Sequence, residues 1–451
     1  MRKKWQQQMS LMPTEIDHPQ AKELEAISRI ISSKPIICDL VLQDLGKYHP
    51  KQKRSGANGM SADQALRAAI VKVLFGFSYQ DLAFHIMDSK CIRRFCQIGI
   101  ADKGFKKSAL NKNIKAISEN TWEAIHREIL GYAKENEIEK GREVRIDCTV
   151  VESNIHKPFD STLLWDAVRV MTRLLDCAQK ALSPGRLQYH DHKRRAKKRM
   201  LAIQYAKNNN ARKPLYKDLL SVSRKTLSYT HTAIDRLSQS PSAKASIMCL
   251  TLDLKEIAEL TAKVIDQTER RVLRGEKVPA GDKIVSLFEP HTDVIVKDRR
   301  DTFYGHKVCL SGGKSNLILD CLIVEGNPAD ASLTDTMFDR QNDLYGRYPL
   351  KVALDGGFAS KDNLANAKSK KIKDVCFAKK RGLKETDMCR SHYVYKRLRR
   401  FRAGIEAGIS WLKRSFGLSR CTWKGWRSFK SYVWASVVSA NLLTIARKQL
   451  A

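Results

Sequence analysis

Val144-Arg-Ile-Asp-Cys-Thr-Val-Val151 is where the chain changes character. Before it, apolar residues recur at helical spacing. Here they alternate at first and are mostly β-branched, the pattern of a half-buried strand. Asp147 is out of place in such a run, because a pleated, half-buried surface disfavours aspartate. Side chains alternate between faces, so Val144 and Ile146 share one side and Arg145 and Asp147 the other.

Outward from this stretch the pattern is again helical, from about Thr162 to Glu276, with a very basic middle (His190 to Arg199, then Lys207 to Lys217). Asn208-Asn-Asn210 marks a turn between two long helices. Strand signals resume after Lys283 and run through Lys307–Leu310 and Leu317–Val324, around a hairpin-like turn at Ser311 to Asn316. They return at Leu350–Leu354, which ends on Asp355-Gly-Gly357, and at Val375–Ala378. From about Tyr393 the spacing predicts two long helices separated near Gly417 to Gly425.

On the N-terminal side, Ser61-Ala-Asp-Gln64 has the form of a capping box ahead of an apolar helix. Further helices are expected from Ser78, around Cys91 to Cys96, and twice between Lys107 and Glu135. Lys51 to Gly59 reads as a linker. The basic segment Lys106 to Ser118 suits either the recognition element of a helix-turn-helix-like module or a bundle helix with a solvated face.

Strands therefore cluster at 144–151 and 284–378, split by an all-helical block. The economical reading is an α/β core, a mixed sheet flanked by helices, with an all-α N-terminal domain and a large all-α insertion after the first core strand. The expected divisions are a helical arm and linker (1–57), an α-helical DNA-binding domain (58–140), the first core strand (141–165), the basic insertion (166–280) and the rest of the core (281–451).

The 451 residues carry 82 Lys and Arg against 48 Asp and Glu, a formal net charge of +34. Such a surplus repels itself, and a polyanion relieves it. Nucleic acid is the natural partner, since each neutralised phosphate releases a condensed counterion. The 11 cysteines show no Cys-x-x-Cys pair and no zinc-site spacing, which fits a reducing cytoplasm better than a disulfide framework. The N-terminus lacks the apolar stretch of a signal peptide. Phe429 to Ile445, broken by Lys430 and Asn441, reads as a buried helix and not a membrane span.

Three acids stand out. Asp147 lies within a strand. Asp355 closes one before two glycines, where the backbone allows close approach of a ligand. Glu406 lies on a helix whose apolar positions are Ile405, Ile409, Leu412 and Phe416. Arg402, Glu406 and Lys413 form a stripe along the edge of that face. Phosphodiester chemistry uses such acids, because paired Mg²⁺ ions activate the nucleophile and stabilise the leaving oxygen, and Mg²⁺ takes oxygen ligands. Singly, each acid also has a structural reading: an edge-strand polar residue, a turn former, or a partner for Arg402.

Asp147-Cys-Thr-Val-Val-Glu152, followed by Asn154-Ile-His156, Pro158 and Asp160 to Leu164, resembles the first-aspartate block of DDE insertion-sequence transposases with an RNase-H-like core. Phe303-Tyr-Gly-His-Lys-Val308 is similar to their second-strand motif, and Leu354-Asp-Gly-Gly-Phe358 to their second-aspartate block. Arg402, Glu406 and Lys413 stand at the spacing of a fourth block, with Arg399 where a tyrosine is expected.

The resemblance implies an RNase-H-like catalytic core in which Asp147, Asp355 and Glu406 hold the metal, two Mg²⁺ ions that Mn²⁺ can replace. Arg402 and Lys413 would contact DNA phosphates. The partners implied are double-stranded DNA, as terminal inverted repeats and target, and a second copy in a homodimer, with no membrane. Location would be cytoplasmic in a prokaryote, nucleoid-associated on DNA. A structure-specific nuclease or resolvase on the same fold, and a non-catalytic DNA-binding regulator, remain open readings.

Overall fold

The computed structural model describes residues 16–48, 59–99, 102–182, 185, 187–239, 245–297 and 301–451. Seven helices come first: α1 (Pro19–Ser32), α2 (Ile36–Tyr48), α3 (Ala62–Leu74), α4 (Tyr79–Asp88), α5 (Lys90–Phe95), α6 (Lys107–Ala116) and α7 (Glu119–Glu135). Ser61 and Ser78 each close a capping box at the starts of α3 and α4, satisfying amides that the first helical turn leaves unpaired. The Lys51–Gly59 linker reading lies, but for Gly59, outside the described residues.

β1 (Glu143–Glu152) follows, then α8 (Asp160–Ala181), α9 (Lys193–Tyr205), α10 (Asn209–Ser238) and α11 (Ala245–Thr268). These four helices enclose an apolar core of their own, built on Leu164, Val168, Leu219, Leu220 and Val264. The buried carboxylate of Asp160, opening α8, accepts two hydrogen bonds at 3.0 Å from Nη1 of Arg271, just past α11. The first and last turns of the helical block are thereby joined beside the sheet.

The sheet resumes with β2 (Asp293–Lys297), β3 (Asp301–Gly312) and β4 (Ile318–Ile323). Then come α12 (Thr334–Tyr345), β5 (Lys351–Leu354), α13 (Lys361–Ser369), β6 (Asp374–Phe377), α14 (Glu385–Met388), α15 (His392–Ser415) and α16 (Trp426–Leu450). The strand signal expected directly after Lys283 is corrected: pairing begins only at Asp293. The Gln267 side chain takes both backbone groups of Ile284, at 2.9 and 3.1 Å. Leu287 is buried in the helical block's core, so these apolar residues serve that core and not the sheet.

The strand order is β2-β3-β1-β5-β6, with β4 also on β3. β3 runs antiparallel to β1, β2 and β4, while β1, β5 and β6 run parallel. One continuous core joins the sheet to the N-terminal helices, through Ile27, Leu66, Trp122, Leu310 and Val352. α16 runs through it with Val433, Val437, Val438 and Leu442 buried, the buried helix expected for that run. Among the described residues no helix is long and apolar enough to cross a membrane.

Candidate active site

The last parallel pair between β1 and β5 is Ile146↔Leu354, and the residue that follows each is an aspartate, Asp147 within β1 and Asp355 just past the end of β5. The shared register sends both side chains to one face of the sheet. α15 lies across that face, in contact with β1, β5 and β6. It is held by Leu398, Ile405 and Leu412, which are buried and lie roughly two turns apart along one side. That anchoring puts Arg402 and Glu406 over the two aspartates.

All three acids meet on Arg402. Nη2 donates to Asp147 Oδ2 at 3.1 Å and pairs with Asp355 Oδ1 at 3.0 Å, and Nη1 lies 2.8 Å from Glu406 Oε1. The other oxygen of Asp147 accepts the Cys148 amide at 2.8 Å. Side-chain exposure rises from 15% at Asp147 through 37% at Asp355 to 59% at Glu406. The site thus has a floor at Asp147 and opens to solvent at Glu406. Lys413 lies about two turns further along α15, partly buried, its carbonyl accepting from Ser419 Oγ at 3.1 Å. Trp423 is buried, as expected for a core tryptophan, and Trp426 is partly buried with its Nε1 donating to Glu325 at 2.8 Å.

Residues that sequence reasoning left out hold this arrangement. Arg145, on the Asp147 face of β1, donates from Nη1 to the Phe401 carbonyl at 3.1 Å and from Nη2 to Asn316 Oδ1 at 2.7 Å. Its guanidinium lies 4.9 Å from the Phe401 ring centroid. α15 passes so close that a Cβ on Gly404 would lie 1.8 Å from Arg145 Nη1. A charged residue inside a strand pattern was the available signal. Nearby, buried Lys307 pairs with Asp330 at 2.8 Å, and Asp330 packs against Gly357. The Cys148 thiol, hydrogen-bonded with Cys309 and half-buried, is pushed far above its ordinary range, so it supplies no thiolate beside Asp147.

Three carboxylates are a hard, all-oxygen donor set, the chemistry that suits Mg²⁺ or Mn²⁺. Among the described residues no three acid, His or Cys side chains gather tightly enough around one point to hold a metal ion. The point that Asp147 and Asp355 share is a guanidinium nitrogen, a cation's position. The chemistry of the donors suits a divalent ion, and in this arrangement the Arg402 guanidinium stands between the two aspartates.

Residues 293–442 match a family model described as a transposase DDE domain. The match includes Asp355, Arg402, Glu406 and Lys413 and begins beyond the helical block that separates it from Asp147. No curated protein and no solved structure matches the chain.

Proposed function

We propose that this chain, whose residues 293–442 match the transposase DDE domain model, is a DNA transposase that cleaves the terminal inverted repeats of an insertion sequence and joins them to target DNA. The observation that carries the reading is the meeting of Asp147, Asp355 and Glu406, far apart in sequence, on Arg402. In this reading they are the catalytic, metal-holding acids. The antiparallel β4-β3-β1 meander continued by parallel β5 and β6 supports an RNase-H-like core, and the net charge of +34 supports double-stranded DNA as the partner.

Mg²⁺ held by the three acids would supply Lewis-acid stabilisation of the developing charge and a nucleophile deprotonated near neutral pH. The chain's own residues do the rest. Asp147, fixed by the Cys148 amide, is the rigid ligand at the floor. Glu406, at the open rim, faces the approaching backbone. Arg402, once off the carboxylates, and Lys413 on the same helix stripe take phosphate oxygens beside the scissile bond, Arg as a bidentate fork and Lys as a point charge. The division into an N-terminal DNA-binding region (58–140), an insertion (166–280) and a split core, and the synaptic homodimer, belong to the same proposal.

The test uses full-length protein, an end-labelled duplex carrying the inverted repeat flanking the gene, target DNA and Mg²⁺. Cleaved ends and strand-transfer products are expected. Asp147→Asn, Asp355→Asn and Glu406→Gln each abolish both while duplex binding persists. Cleavage with no joining assigns a nuclease instead. Three variants with every activity intact would assign a non-catalytic regulator.

A further inference from the structure

Phe303-Tyr-Gly-His-Lys-Val308 lies on β3, and nothing in the reaction proposed above engages it. Its lysine is the unusual member. Lys307 stands opposite Val150 of β1, so strand alternation turns its side chain to the face away from Asp147. That side chain is only 11% exposed, and lysines are almost never buried unless paired. The ammonium donates to the Pro328 carbonyl and, at 2.8 Å, to Oδ1 of Asp330. With two donors engaged and little surface, it is poorly placed to reach a phosphate.

Asp330 opens the short turn Asp330–Leu333, and its other oxygen lies against Gly357. A Cβ on that glycine would come 2.8 Å from Asp330 Oδ2. Gly357 belongs to the single turn Gly356–Phe358 that Asp355 opens, closed by the Phe358 amide on the Asp355 carbonyl at 3.2 Å. On the other side a Cβ on Gly356 would lie 2.7 Å from Cβ of Lys379. The space that the two glycines leave is thus taken by the chain's own side chains, and the turn is wedged between Asp330 and Lys379. Asn363 fastens the two turns to each other, its Nδ2 donating to the Phe358 carbonyl at 2.8 Å and the Ala331 carbonyl at 2.9 Å.

A carboxylate that holds a metal needs a fixed direction, and the groups behind it supply that. Asp147 has the Cys148 amide for this purpose. For Asp355 the equivalent is the seating of its turn. We propose that Lys307 and Asp330 are positioning residues for Asp355: the buried ammonium fixes the Asp330 carboxylate, and that carboxylate seats the glycine turn from which Asp355 projects. Without Lys307, Asp330 would be left with an unpaired charge at a mostly covered position, and such a group turns toward water. The turn then loses one wall of its wedge. The inference rests on the reading of Asp355 as a metal-holding acid.

The test compares full-length protein with Lys307→Met, which keeps the stem and removes the charge. Mn²⁺ is titrated alone by calorimetry, and binding and single-turnover cleavage of the inverted-repeat duplex are measured beside it. Mn²⁺ affinity and the cleavage rate constant are each expected to fall about tenfold or more, while duplex affinity is unchanged. A second set of variants tests the contact itself and decides alone if Lys307→Met does not fold. Gly357→Ala presses a methyl group on Asp330 and should weaken Mn²⁺ binding about tenfold. In an Asp330→Ala background the space is open, and the same methyl should cost nothing further.

Unchanged Mn²⁺ affinity in Lys307→Met overturns the inference. So does a lower duplex affinity with a shallower salt dependence, which makes Lys307 a DNA contact. A lowered melting temperature with Mn²⁺ affinity and cleavage intact leaves the pair a structural role alone and also overturns it. Additive losses at positions 330 and 357 remove the contact step. Wild-type Mn²⁺ affinity that Asp355→Asn leaves unchanged overturns the metal-holding reading of Asp355 instead, a result distinct from all of these.

Discussion

Asp147 and Asp355, neighbours across two parallel strands, bring carboxylate oxygens to the same atom, Nη2 of Arg402, at 3.1 and 3.0 Å. Two carboxylates this close repel each other, the more so as Asp147 is mostly shielded from water, and the shared guanidinium offsets that repulsion. Any divalent ion that draws ligands from both must replace what Arg402 gives them. Charge-assisted hydrogen bonds are worth roughly 1.5–3 kcal/mol each. Arg402→Ala is therefore expected to raise the affinity for Mn²⁺, titrated alone by calorimetry, by about ten- to a hundredfold, while strand cleavage falls because the phosphate contact is gone. Unchanged or weaker Mn²⁺ binding would show that Arg402 does not compete for the acids.

That the acids form a set was legible only through the family resemblance of the blocks around them, because each acid taken singly had a structural reading as well. The Arg402–Glu406 pair was among the readings and is present, but the reach of Arg402 to both aspartates was not legible. Helical spacing places a residue on a face, and the same edge position serves a DNA phosphate or an intramolecular carboxylate equally well. Arg145 was placed on the right face by strand alternation, but its partners, Phe401 and Asn316, are distant in sequence and no local rule points to them. The β2 boundary failed for a similar reason. Ile284 and Leu287 are apolar because they pack on the helical block, and period alone does not tell whose core a short run fills.

The clamp between β1 and α15 gives a second prediction. A Cβ at Gly404 would overlap Arg145 Nη1, so Gly404→Ala must push the helix away or strip Arg145 of its bonds to Phe401 and Asn316. Overpacking of this kind costs about 1–3 kcal/mol, and a tilt of α15 carries Arg402 and Glu406 with it. Gly404→Ala should lower both stability in urea and cleavage. In an Arg145→Ala background the same change should cost at least about 1 kcal/mol less, a coupling that a double-mutant cycle measures. Additive effects would mean that the two side chains do not constrain each other.

A third prediction concerns the fork at Asp160. Arg271 Nη1 donates to both of its oxygens, and Gln267 Nε2 adds a bond at 3.3 Å. Burial raises the pKa of Asp160 against the opposing pull of Arg271. Arg271→Met leaves that carboxylate buried without its cation, a change that costs about 3–5 kcal/mol where a pair is fully buried. Arg271 is itself half exposed, so a loss nearer 1–2 kcal/mol is expected. Asp160→Asn in the same background should restore part of it. Proteolysis between residues 160 and 290 should accelerate in the single variant, and an unaltered pattern would remove Asp160–Arg271 as the clasp of the insertion.

The last prediction follows from His126 of α7. Its Nε2 lies 3.0 Å from the carbonyl of Ile318 at the start of β4, which also accepts from Asn441 of α16 at 2.7 Å. Asn441 Oδ1 in turn takes the Ile318 amide at 2.9 Å. Three elements thus meet at one buried polar point, where His126 Nε2 lies within hydrogen-bond distance of both the Ile318 carbonyl and Asn441 Nδ2, at 3.0 and 3.1 Å. Burial, the largest influence, pushes its pKa down to about 4 from the usual 6.5. The unfolded chain therefore binds a proton that the folded chain refuses, and stability drains as pH falls from about 6.5 to about 4, with no further loss from this group below that. The full loss is on the order of 3 kcal/mol. Urea denaturation at pH 7 and pH 4.5 should show this slope in wild-type protein. His126→Gln should start less stable at pH 7 yet lose several-fold less over the same interval, and a parallel slope in the two proteins would locate the acid sensitivity elsewhere.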